Sequence, residues 1–166
     1  MSLLLAAVGA TAAALIELSV APHLRVGDAH PHLVLVFAVI WTIVAGIEGG
    51  LVWAFLGGLA LDVLAQRPLG STAFALLLAV GGAAIVAHVF ARLRPLAPVI
   101  AVGLFSVVYS MTLFVLLGSL VAPIPVDDPI AVLLPGVVYD VVVAALVGPL
   151  AVALHDRGQE TERVDW

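Results

Sequence analysis

The chain has 166 residues, of which 64% are hydrophobic and only 10% charged, with a mean hydropathy of +1.27. A soluble domain of this length could not cover such a surface with polar groups, so lipid is its main solvent and an integral membrane protein is expected. The net charge of −5, six basic residues that are all arginine, and the absence of cysteine exclude a basic nucleic-acid surface, disulfides, thiolate metal sites and cysteine nucleophiles.

Nothing long and polar separates the apolar runs, so a single transmembrane domain over residues 1–154 is expected, with a mobile tail at 155–166. The first helix is expected at 3–21, closed by Pro22. This run lacks a basic leader and contains Glu17, so it reads as a retained span and not a cleaved signal. The connection from Pro22 to His32 is too rich in proline to be helical. Its His23, His30 and His32 fit no common zinc spacing and read as exposed loop histidines.

A second helix is expected at 33–45 and a third at 51–65, with a turn at 46–50 between them. Both fall short of the ~20 residues that a perpendicular span needs. Either flanking residues extend them, or the pair dips into a thinned or protein-lined region. Gly50, Ala54, Gly58 and Asp62 are spaced four apart and so follow one helical ridge. Together with Gly57 they read as a seam of small residues that lets a neighbouring backbone come close. A carboxylate beside that seam is expensive against lipid, so the third helix is expected to be interior. The stretch from Gln66 to Gly70 is a tight connection.

The remaining helices are expected at 71–91, 97–121 and 130–154, giving an all-α bundle of six transmembrane helices. Pro135-Gly136 and Gly148-Pro149 are expected to kink the last one. With the N-terminus inside, Arg92, Arg94, Arg157 and Arg163 lie on the cytoplasmic side and Arg25 and Arg67 outside, so both termini are expected to be cytoplasmic. Trp41, Trp53 and Tyr109 are either interfacial anchors or core fillers.

Glu17, Asp62, His88 and Asp140 lie within apolar runs and need partners or water. Glu17 and Asp140 are intramembrane acids of possible function, in a proton or ion relay or a polar substrate pocket. Structural roles compete with that reading. In these, Asp62 bonds donors at a helix end, Glu17 reaches the outer interface, and Asp140 pairs with Tyr139, a Ser or Thr hydroxyl, or His88. No serine or threonine stands at a recognisable spacing from a base, and no glycine loop precedes a lysine, so neither an enzyme nor a cofactor or metal is expected.

One set of residues carries a family likeness. Glu48-Gly49-Gly50, Phe55 before Gly57-Gly58-Leu59, Asp62, and Pro68-Leu69-Gly70 resemble the signature of the MreD family of rod shape-determining proteins. That resemblance implies a non-enzymatic scaffold of the bacterial elongasome in the cell inner membrane, required for rod shape and lateral peptidoglycan synthesis. It implies as partners the single-span coiled-coil protein MreC, RodA with its penicillin-binding transpeptidase, and MreB indirectly. It also implies a fold resembling the S-components of energy-coupling-factor transporters. The seam of Gly50, Ala54, Gly57 and Gly58 then packs inside the bundle or against MreC. A competing reading is a vitamin-binding S-component that couples through Gly9, Ala10, Ala13 and Ala14, and a third is a proton- or lipid-handling channel around Asp62 and Asp140.

Overall fold

The computed structural model describes residues 3–20, 30–89, 96–121 and 129–162. These form α1 (Leu3–Val20), α2 (Leu33–Ala45), α3 (Ile47–Leu64), α4 (Ser71–Val89), α5 (Ala97–Leu120) and α6 (Pro129–Glu162), with no strand among the described residues. All but α2 contain an apolar stretch long enough to cross a membrane. The protein is therefore an all-α membrane bundle. His23 lies outside the described residues.

α2 is the hub. With 13 residues it reaches ~20 Å at 1.5 Å per residue, against ~30 Å of hydrocarbon. It is apolar on every side, and Val34, Leu35, Val36, Ala38, Val39, Ile40 and Thr42 are buried. A helix too short to cross the hydrocarbon is better sheltered by protein than by lipid at its ends. α1, α3, α4, α5 and α6 supply this, each touching the next in that order and all touching α2.

The turn between α2 and α3 is shorter than expected. Gly46, at φ +98°, is the single residue between them, and α3 starts at Ile47 and not at residue 51. Only glycine reverses the chain so abruptly without strain. The glycines expected to form the turn are instead inside α3, because α2 crosses directly over them. A methyl at Gly49 would meet the indole of Trp41, and one at Gly50 the side chain of Thr42. Trp41 and Trp53 are packed 5.7 Å apart, and Trp53 is buried, as core fillers are.

α6 runs on to Glu162, past the expected end of the last helix at 154. No proline follows Pro149, and the intervening residues are mostly compatible with a helix. α6 packs mainly on α5 and α2, and only 17% of its apolar stretch is buried. Leu134, Val138, Val142, Leu146, Leu150 and Leu154, four apart, form an outward ridge, each more than half exposed.

Candidate functional site

A helix leaves its first amides without intrahelical acceptors, and in a membrane no bulk water is there to satisfy them. α2 and α4 both start beside other helices of the bundle, and buried carboxylates take up their amides. Asp62 and Asp140 are 0% exposed and Glu17 5%.

Asp62, at the end of α3, caps α4 across the intervening turn. Its Oδ2 accepts the N–H of Gly70 at 2.8 Å, and its Oδ1 accepts the N–H of Thr72 at 3.0 Å and the hydroxyl of Ser71 at 3.1 Å. Gln66 at φ +54° and Gly70 at φ +91° turn the chain so that it comes back over the carboxylate. Pro68 accepts a bond from the Ser71 hydroxyl through its carbonyl, while Leu69 is 72% exposed and Glu48 is exposed in the first turn of α3.

The start of α2 is held by two acids from two other helices. Glu17 of α1 accepts the N–H of Val34 on Oε2 at 2.8 Å. Asp140 of α6 accepts the N–H of His32 on Oδ1 at 2.7 Å, and its Oδ2 faces Nδ1 of that same histidine at 2.9 Å. The hydroxyl of Ser106 on α5 also donates to Oδ2. A carboxylate can only accept here, so Nδ1 carries the hydrogen. Negative charge at a helix N-terminus also complements the helix dipole.

Further side chains close the cluster. The ring of Tyr109, on α5, stands edge-to-face with His32 at 5.2 Å, and that of His30 lies 5.0 Å from His32 on another side.

Several expectations change. His32 is not an exposed loop histidine: its side chain is 18% exposed and bound to an acid. A polar residue just before a helix too short to span sits at that helix's buried start. Asp140 takes a serine hydroxyl and a histidine, but neither Tyr139 nor His88, which bonds the carbonyl of Ala84 on its own helix. Glu17 is buried within the bundle, where its carboxylate accepts the amide of Val34. Sequence reasoning missed His32, Ser106 and Tyr109 as members of one site. The signal available was the spacing of Ser106, Tyr109 and Ser110, which puts the polar groups of α5 on one face.

The Ser106 hydroxyl donates to Asp140 and not to His32. Among the described residues no three His, Asp or Glu side chains are placed to hold a metal ion.

The small-residue seam lies inside the bundle. A methyl on Gly57 would stand 2.6 Å from Cγ1 of Val34 in α2, and one on Gly58 would run into the backbone of Ala73 in α4. Ala54 is fully buried, and Gly50 faces Thr42. The ridge is thus filled by the chain's own α2 and α4.

The model of the family described as rod shape-determining protein MreD matches residues 2–154. No curated protein and no solved structure gives a significant match.

Proposed function

The chain belongs to the MreD family of rod shape-determining membrane proteins, and from that premise we propose that it is a non-enzymatic scaffold subunit of the elongasome. In this reading it sits in the bacterial inner membrane with both termini cytoplasmic, the orientation that the arginine distribution favours. It binds the single transmembrane helix of MreC and, with it, RodA and its transpeptidase, so that lateral wall synthesis stays coupled to MreB.

The observation that carries the reading is the division between filled and open helix faces. The seam of Gly50, Ala54, Gly57 and Gly58 is taken up by internal packing. α6 is left with an apolar ridge from Leu134 to Leu154 and few internal neighbours. On this reading a single-span partner helix packs along that ridge through side-chain van der Waals contacts.

The chain has no cysteine, so single cysteines report contacts without background. Cysteines at Val138, Val142 and Leu146 should crosslink to cysteines in the transmembrane helix of MreC, while one at Leu15 on α1 should not. Crosslinks from α1 alone, or none from α6 while MreC still co-purifies, would refute the docking face.

A further inference from the structure

The ring of helices around α2 does not close. α1 and α6 stand at its two ends, and among the described residues they are not packed against one another. Of residues 33–42 only Leu33, Phe37 and Trp41 are not buried, and being four apart they share one face of α2. That face meets the opening, since α1, α3, α4, α5 and α6 take the other directions. The opening is therefore floored by apolar and aromatic side chains.

Two indole donors lie beside it. Trp53 on α3 is 5% exposed, and its Nε1 is buried with no acceptor. Its ring is held between Phe37 at 5.9 Å, Trp41 at 5.7 Å and Gly9 of α1. A methyl at Gly9 would stand 2.7 Å from Cζ2 of Trp53 and 3.5 Å from Cε2, the carbon bonded to Nε1. The N–H edge of Trp53 thus lies on the α1 side of the two rings that floor the opening. The indole N–H of Trp41 makes no hydrogen bond among the described residues either, and it lies over Gly49 in the first turn of α3. The next residue, Glu48, is exposed and makes no hydrogen bond or ion pair among the described residues. A buried indole N–H ordinarily finds an acceptor, because leaving it unpaired costs its full desolvation.

What fills the opening has to match three features in order along it. These are an apolar chain against Leu33 and Phe37, acceptor oxygens at Trp41 and Trp53, and a positive charge at Glu48. A transmembrane helix has its backbone carbonyls already bonded and offers no such oxygens. An anionic headgroup would meet Glu48 with like charge. A phospholipid with an ammonium headgroup has all three features in that order from tail to head.

We propose that the opening between α1 and α6 binds one phosphatidylethanolamine molecule, from the leaflet on the side of the turn between α2 and α3. Its acyl chain lies along Phe37 toward Leu33, its ester oxygens accept from the indole N–H groups of Trp41 and Trp53, and its ammonium pairs with Glu48. The lipid supplies the cover that α1 and α6 leave off α2. This site is separate from the outward ridge of α6 and does not depend on which partner docks there.

The test uses the full chain carrying Trp166→Phe, so that fluorescence reports Trp41 and Trp53 alone. The protein is placed in phosphatidylcholine nanodiscs with rising fractions of phosphatidylethanolamine whose acyl chains are dibrominated and quench a neighbouring indole. Brominated phosphatidylglycerol is the comparison. The ethanolamine lipid should reach half of its quenching at a fraction about threefold or more below that of the glycerol lipid. Glu48→Gln should remove that difference. Trp53→Phe, read at Trp41, should raise the half-quenching fraction of the ethanolamine lipid by about threefold or more. Equal fractions for the two lipids mean bulk lipid contact and overturn the proposal, as does a Glu48→Gln variant that keeps the preference. No quenching by either lipid means that the opening is shut or filled by protein, which overturns it too. An unmoved fraction in Trp53→Phe overturns the assignment of the buried donor. If Trp53→Phe does not fold, Glu48→Gln, at an exposed residue, decides alone.

Discussion

His32 and Asp140 stand 108 residues apart in sequence and share two hydrogen bonds, one from the backbone N–H and one from the ring. The first turn of α2 is thereby completed by a residue of α6. Asp140→Ala would leave the amide of His32 and the hydroxyl of Ser106 without their acceptor inside the bundle. That should cost about 3 kcal/mol, since removing one partner exposes the full desolvation penalty of the other. Asp140→Asn keeps one acceptor oxygen and should cost less. Unfolding midpoints in detergent give the order, and an asparagine variant weaker than the alanine one would contradict it.

Asp62 makes a local prediction. Its bonds to Gly70, Ser71 and Thr72 all serve the start of α4. Asp62→Ala should therefore lose about 1–2 kcal/mol, the usual worth of an N-terminal cap. Amide hydrogen exchange should rise at Gly70 and Thr72 and stay unchanged in α6. A uniform rise across the bundle would show that Asp62 does more than cap one helix.

Glu17 separates capping from charge. The amide oxygen of Glu17→Gln can still accept from Val34, so stability should fall by about 1 kcal/mol or less. Glu17→Leu removes the acceptor and should cost about 2–3 kcal/mol. Equal losses in the two variants would mean that the negative charge, and not the hydrogen bond, holds the start of α2.

Two glycines give opposite expectations for the same substitution. At Gly58 an added methyl runs into the backbone of Ala73, which cannot swing aside as a side chain can, so Gly58→Ala should cost about 1–3 kcal/mol. At Gly81 nothing lies within 4 Å, and Gly81→Ala should be neutral or stabilise α4 by about 0.5–1 kcal/mol. Paired melting curves decide this, and a Gly58→Ala variant as stable as Gly81→Ala would mean that α3 and α4 are not packed backbone to backbone.

Legibility from sequence varies with the range of the cause. Apolar runs flanked by proline, glycine and arginine mark the six helices, because lipid allows little else, and the interval of four from Gly50 to Asp62 marks a ridge on α3. Whether that ridge meets the chain itself or a partner depends on Thr42, Val34 and Ala73, which no local pattern connects to it. The extent of the turn at 46–50 is not legible, because a glycine pair signals a helix crossing as well as it signals a turn. The place of His32 is hidden because its partner lies on α6, and a loop histidine looks the same until the fold brings an acid to it.

The separation between His32 and Asp140 also constrains how the chain is made. α2 leaves the ribosome with its leading amides unpaired, and the carboxylate of Glu17 is already there to serve one of them. The acceptor for the other is synthesised only with the last helix. The first turn of α2 is thus satisfied in two stages, from α1 and then from α6. The buried start of α2 is therefore complete only once α6 has packed against it.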